Sequence, residues 1–305
     1  MRVRASWAVA MLAVSLAVTP CFAQAARTFV SSNGSDGNDC SRQAPCRSFA
    51  TAITKTAAGG EINTLDPGGY GAVTITKAIS IISGLGEAGV LVPAGGVGIT
   101  INAGANDQIN LRGLAIEGGR VGKTGILFNT GGSLVITNSV VRNLTEHAID
   151  IEPTGTSSFT ITDTLATDNG GAGIILFPHG GRADGVFSRI TASNNSWGVY
   201  ANSYSRGSET SPVNVIVTDS VVSTNTKNSG IGIYLEGPAS TFLINLNVLK
   251  STVYGNKYAI VNNAGFIEVS DVYTNGATSC GDGHYVRTYS NNVLHGSCLL
   301  TMTFN

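Results

Sequence analysis

The 305 residues carry a net charge of −1 and only 12% of them are Asp, Glu, Lys or Arg. That leaves no basic face to meet a phosphate backbone and argues against nucleic acid as a partner. Length alone would allow two ordinary domains, but no linker or composition shift divides the chain. Gly, Ser, Thr and Asn are abundant and Val and Ile lead the apolar set, a balance that favours strands with frequent turns.

Arg2 and Arg4 precede an apolar run from Ala5 to Val18, and small residues come next at Cys21-Phe22-Ala23-Gln24-Ala25. This order fits a secretory signal peptide cleaved after Ala23 or Ala25, so residues 1–23 are set apart from the fold. An uncleaved anchor is the alternative, and Pro20 before Cys21 fits a lipoprotein poorly. No later segment has spanning length, so no membrane contact is expected once the signal is removed.

Residues 24–60 form an N-terminal segment in which Phe49, Ala50 and Ile53 mark a short amphipathic helix. It is expected from Cys46 to Ala57, ended by Gly59-Gly60 and lying across the first coil of a repeat that begins near Glu61. Beyond the signal, four cysteines remain, at 40, 46, 280 and 298. An even number outside the cytoplasm fits two disulfides, paired locally as Cys40–Cys46 and Cys280–Cys298 out of three connectivities. A zinc site is the alternative, but no cysteine pair has zinc-knuckle spacing.

From Glu61 to the C terminus one phrase recurs: a short strand, a second short strand, an asparagine turn, then Gly or Ala leading into an aliphatic strand. The turns are placed at Asn143, Asn169, Asn194, Asn225, Asn256 and Asn275, with Gly118 one coil earlier. Asparagine suits a corner because it tolerates left-handed backbone angles and its amide can bond the next asparagine. After these turns Ile149, Ile174, Val199, Ile233 and Ile260 form one inward column, with Ile151, Leu176 and Leu235 in the next. Asp150, Ile175, Tyr200, Tyr234 and Val261 face outward. The strands before the turns, such as Leu134 to Thr137 and Phe159 to Thr162, supply another wall. Asp163 and Asp219 occupy matching places beside a turn and are expected to bond backbone amides.

The asparagine turns, aliphatic columns and leading helix resemble the right-handed parallel β-helix superfamily that includes pectate lyases and polygalacturonases. The resemblance covers roughly residues 27 to 300. It implies an all-β, right-handed parallel β-helix solenoid of three sheets with an N-terminal capping helix. Over residues 61–305, Leu299 to Met302 and the Cys280–Cys298 bridge would close the far end. Carbohydrate sites in this superfamily usually lie in a groove along one sheet. The polygalacturonase motifs are absent; only Phe177-Pro178-His179-Gly180-Gly181 and Arg189-Ile190-Thr191 approach them, and no doubled carboxylate is apparent.

A site is expected where loops outgrow the minimal coil. Residues 178–184 and 202–209 do so on consecutive coils, about 4.8 Å apart as neighbouring strands are. His179, Arg182, Tyr204 and Arg206 are the catalytic candidates. Asp184, Tyr200, Glu209, Tyr234 and Glu236 are the ligand-binding ones, with Glu152 at the edge. Tyrosine rings offer faces to sugars and arginines offer forks to uronate carboxylates. The expected role is binding of an extracellular polysaccharide by a secreted or periplasmic protein. One alternative is a lyase acting by β-elimination on a uronic-acid polymer, with Arg182 or Arg206 neutralising the carboxylate and His179 or Tyr204 as base. The other is a surface scaffold or adhesin. No cofactor is indicated, and calcium is left open.

Overall fold

The computed structural model describes residues 24–84, 87–204, 211–238, 243–281, 284, 286–289, 291–296 and 299–302. The signal segment lies outside them. Among the described residues there is one helix, Phe49–Lys55, followed and surrounded by parallel strands that stack coil on coil into three walls. The long wall contains twelve strands, among them Ser133–Thr137, Ser157–Thr162 and Ala183–Ser188. A narrow wall runs through three-residue strands such as Val140–Arg142, Leu165–Thr167 and Thr191–Ser193. The third, termed the groove wall, runs through Thr124–Thr130, Ile149–Ile151, Ala172–Leu176, Trp197–Asn202, Ile231–Glu236 and Tyr258–Asn262.

The expected columns are present. Ile149 pairs with Ile174, Ile174 with Val199, Val199 with Ile233 and Ile233 with Ile260. All five are at most 1% exposed. The period of two in each strand sends this column inward and leaves the alternate residues outside. Phe128 and Phe159 meet edge to face across the core at 5.1 Å between ring centres.

Two corners of each coil are made by single residues in the left-handed region. Between long and narrow walls stand Asn138, Asp163, Arg189, Asp219, Lys250 and Asp271; between narrow and groove walls stand Asn143, Asp168, Asn194 and Thr224. The third corner, from groove wall back to long wall, carries the longer loops. Asp163 does not bond backbone amides as expected. Its carboxylate takes the Arg189 guanidinium at 2.7 and 2.9 Å, because the next coil places a cation directly beside it. Asp219 accepts from the Thr218 hydroxyl.

The asparagine ladder is present, with Asn169, Asn225 and Asn256 where the sequence places them, and it departs from the sequence assignment at Asn143, Asn194 and Asn275. It runs Asn169, Asn195, Asn225, Asn256. The Oδ1 atoms of Asn195, Asn225 and Asn256 each accept from the backbone N–H and side-chain amide of the asparagine one coil earlier, at 2.9–3.1 Å, and the steps are 26, 30 and 31 residues. Asn143 and Asn194 lie one residue earlier, at the left-handed corner. Asn194 turns outward to Asp168. Asn275 belongs to the strand Tyr273–Cys280 and caps the Gly255 N–H. Two successive asparagines, Asn194-Asn195, hid which one points inward. Leu144 occupies the ladder place in the first of these coils, its N–H bonded to Asn169 Oδ1. The small residue after each turn has a steric cause: a Cβ on Gly232 would stand 2.7 Å from Val253 Cγ1 and 2.8 Å from Asn256 Nδ2.

The helix is shorter than expected. Ser48 caps its start, accepting from the Thr51 N–H, and it ends at Lys55, where the extended Thr56 donates its N–H to Ala52 O. Gly59 and Gly60 lie in the next strand, Thr56–Thr64, not at a helix stop. Phe49, Ala52 and Ile53 are buried, and Phe49 meets Tyr70 at 5.1 Å. The strand Ala25–Val30 already pairs with Thr56–Thr64, so the long wall begins ahead of the helix. Cys40 and Cys46 are joined. Cys280 is also disulfide-bonded, and Cys298 lies outside the described residues. Leu299–Met302 adds the last strand of the long wall, parallel to Val286–Tyr289.

Candidate functional site

Residues on the outer face of a sheet are ordinarily wet. On the groove wall, Asp150 and Ile175 face outward yet are 7% and 5% exposed. They form the floor of a cavity of about 440 Å³, with Lys123, Glu146 and His147 where the chain enters the strands and Glu152, Phe177 and Asn202 where it leaves. The alternation Ile149-Asp150-Ile151-Glu152 sends Asp150 and Glu152 to the same face. At the rise of an extended strand, their backbones stand about 7 Å apart.

The aromatic part of the groove results from register. Tyr200 pairs with Tyr234 on the next coil, and their rings stack at 4.9 Å with planes 18° apart. Trp197, three residues before Tyr200 on the same strand, lies 5.4 Å from it. Three rings therefore form one apolar strip across two coils. Tyr200 Oη donates to Glu236 and accepts from Asn202 Nδ2 at 2.8 Å. Burial, and then this bond to Glu236, push the Tyr200 phenol above its ordinary value, so it stays protonated. Burial and the Glu236 charge do the same to Tyr234.

Two histidines border the floor. His147 Nδ1 accepts from the Ala172 N–H at 2.9 Å, which assigns its proton to Nε2. Burial lowers its pKa against the pull of Glu146 and Glu152, so the ring is neutral at pH 7. His179 Nε2 lies 3.2 Å from Glu152 Oε2, with its ring against the edge of Phe177 at 4.7 Å.

Of the residues expected from sequence, the structure gathers His179, Glu152, Tyr200, Tyr234 and Glu236 along this wall. Tyr204 stands at the rim, 45% exposed, its N–H bonded to Asn202 Oδ1 at 2.8 Å. Arg182 and Asp184 do not join them. They pair with each other at 2.7 Å, and Asp184 sits in the long wall beside Asn214. His179 and Arg182 share a loop, but that loop rounds the third corner and delivers them to different walls. Arg206 and Glu209 lie outside the described residues. Sequence reasoning missed His147, Asp150 and Trp197 as site residues; Asp150 was legible as outward-facing, whereas nothing in the sequence says it is sheltered. Among the described residues, no three His, Cys, Asp or Glu are grouped to hold a metal ion.

The family model described as right handed beta helix region matches residues 97–272. Among solved structures, the crystal structure of pectate lyase Pel9A is similar with a TM-score of 0.70 at 16% identity, covering 90% of this chain and 78% of that one. ORF18 of Geobacillus virus E2 has a TM-score of 0.52 at 10% identity, with 90% and 62% covered. The A-module of the Azotobacter vinelandii mannuronan C-5 epimerase AlgE4 gives 0.37 at 12% identity, with 81% and 90% covered. No curated protein sequence matches. The first two likenesses concern the fold. A family model spanning more than half of the chain, over coils stacked in parallel walls, makes this protein a member of the right-handed β-helix family.

Proposed function

We propose that the groove wall binds a polysaccharide outside the cytoplasm. The observation that carries this reading is the strip of Trp197, Tyr200 and Tyr234, stacked across neighbouring coils and flanked by Glu152, Asn202 and Glu236. Ring faces suit the C–H side of a sugar, and carboxylates and amides suit its hydroxyls. A groove along the stack also presents the same spacing to successive sugar units. The comparison with a pectate lyase supports a polymer ligand, and the disulfides support an oxidising compartment.

β-Elimination is the weaker alternative. It needs a cation for the uronate carboxylate; of the two candidates, Arg182 is turned to Asp184 on the long wall, and Arg206 lies outside the described residues. Affinity electrophoresis against a panel of extracellular polymers tests the reading: retardation by at least one polymer, lost in Tyr200→Ala, is expected. Absence of binding to every polymer would favour the scaffold role. Unsaturated product absorbing in the ultraviolet would establish the lyase.

A further inference from the structure

We infer that the groove continues to the N-terminal helix, where a second cavity takes the far end of the same polysaccharide chain. This rests on the polysaccharide-binding reading and fixes how the chain lies, lengthwise along the stack. The second cavity, of about 450 Å³, has Ile53 and Thr54 of the helix on one side and Thr74, Lys77, Val97 and Thr100 on the other. Val97 also lines the central cavity that has Asp150 and Ile175 on its floor.

Register makes the two cavities neighbours. Val97 pairs with Thr124 and Thr100 with Leu127; Val97 and Thr100 line the helix-side cavity, Thr124 and Leu127 the central one. Adjacent strands of the groove wall therefore carry them. Thr74, Thr100, Leu127, Asp150, Ile175, Tyr200 and Tyr234 are partners in turn along one outward column. At about 4.8 Å for each step between strands, that column spans roughly 29 Å, room for several sugar units in a row.

The helix-side lining suits the same ligand. Thr74 and Thr100 bring hydroxyls that can donate and accept. The Thr54 hydroxyl donates to Thr51 O at 2.7 Å and keeps its lone pairs for a sugar hydroxyl. Ile53 and Val97 offer apolar surface to the C–H side of a ring. Lys77 Nζ donates to Thr56 O, which holds the ammonium at the end of the helix with further donors for a sugar oxygen. A chain that fills both cavities loses its freedom of translation once while making two sets of contacts, so affinity rises steeply with length.

Trimers, hexamers and nonamers prepared from a β-glucan, polygalacturonate and alginate, with each parent polymer, are titrated into the purified protein by calorimetry. In a series that binds, the nonamer is expected to bind at least tenfold more tightly than the trimer. Thr54→Leu/Thr74→Leu crowds the helix-side cavity at two exposed positions; it should weaken the nonamer at least threefold and leave the trimer unchanged. Equal affinity for trimer and nonamer, or a folded variant that weakens neither or both alike, overturns the inference and leaves the polysaccharide reading standing. So does binding of a polymer with none of its oligomers. Binding of no oligomer and no polymer overturns both. Should the variant fail to fold, acetylation of the unaltered protein decides, read by mass spectrometry with the exposed Lys250 as reference. The nonamer should slow modification of Lys77 at least threefold and the trimer should not; a Lys77 that reacts equally fast with and without nonamer overturns the inference.

Discussion

Asn225→Ala should be among the most damaging single changes in the stack. The side chain is fully buried. Its Oδ1 accepts from Asn195 N at 3.0 Å and Asn195 Nδ2 at 3.1 Å, while its Nδ2 donates to Ala192 O and Asn256 Oδ1, each at 3.0 Å. Alanine leaves two buried donors on Asn195 without this acceptor and removes a donor from two acceptors. An orphaned buried group costs about 1–3 kcal/mol. Partial relaxation and the acceptors' remaining bonds bring the expected loss to roughly 3–5 kcal/mol by the same reckoning. Asn194→Ala is the control one residue away. It loses an exposed bond to Asp168 and places alanine at φ 54, a cost of about 1–2 kcal/mol. Urea denaturation followed by far-ultraviolet circular dichroism and by tryptophan fluorescence measures both, two probes being needed because a solenoid can lose cooperativity. If Asn194→Ala is as destabilising as Asn225→Ala, the assignment of the ladder to Asn195 and its stacked partners is wrong.

Tyr200→Ala should weaken polysaccharide binding by about 1–2 kcal/mol of lost ring contact, roughly five- to thirtyfold, in a titration where Tyr200→Phe keeps most of the affinity. Because burial holds the His147 pKa below its ordinary value, its contribution to stability is full above the unfolded value near 6.5 and falls as pH drops from there through the folded pKa. His147→Gln should flatten the melting temperature between about pH 7 and 5. Asp66 is the opposite type of group. Burial would raise its pKa, but hydrogen bonds from Ser31, Ser32 and Tyr70 outweigh it and hold the carboxyl at about 2. Its stabilisation is present above pH ~4 and lost as pH falls toward 2, so Asp66→Asn should remove that part of the acid transition in a pH melt. Gly232→Ala, whose Cβ would press on Val253 and Asn256, should cost about 1–3 kcal/mol in the same denaturation assay.

Sequence alone determined the solenoid, the inward columns and the small residue after each turn. Each is a periodic constraint: Ile149, Ile174, Val199, Ile233 and Ile260 must be apolar because a two-residue period buries them on every coil. It also placed Tyr200 and Tyr234 on one outer face and Cys40 near Cys46. It misplaced the ladder at Asn194 because that residue and Asn195 are chemically identical, and only the φ of the corner decides which side chain turns inward. The loop 177–182 is distinctive in composition, but composition cannot show that a corner divides His179 from Arg182. Tertiary structure alone decided that Asp150, outward by parity, is sheltered, and that His147 and Trp197 border the same groove. Shelter on an outer face depends on what neighbouring coils raise beside it, and no periodicity in one strand records that.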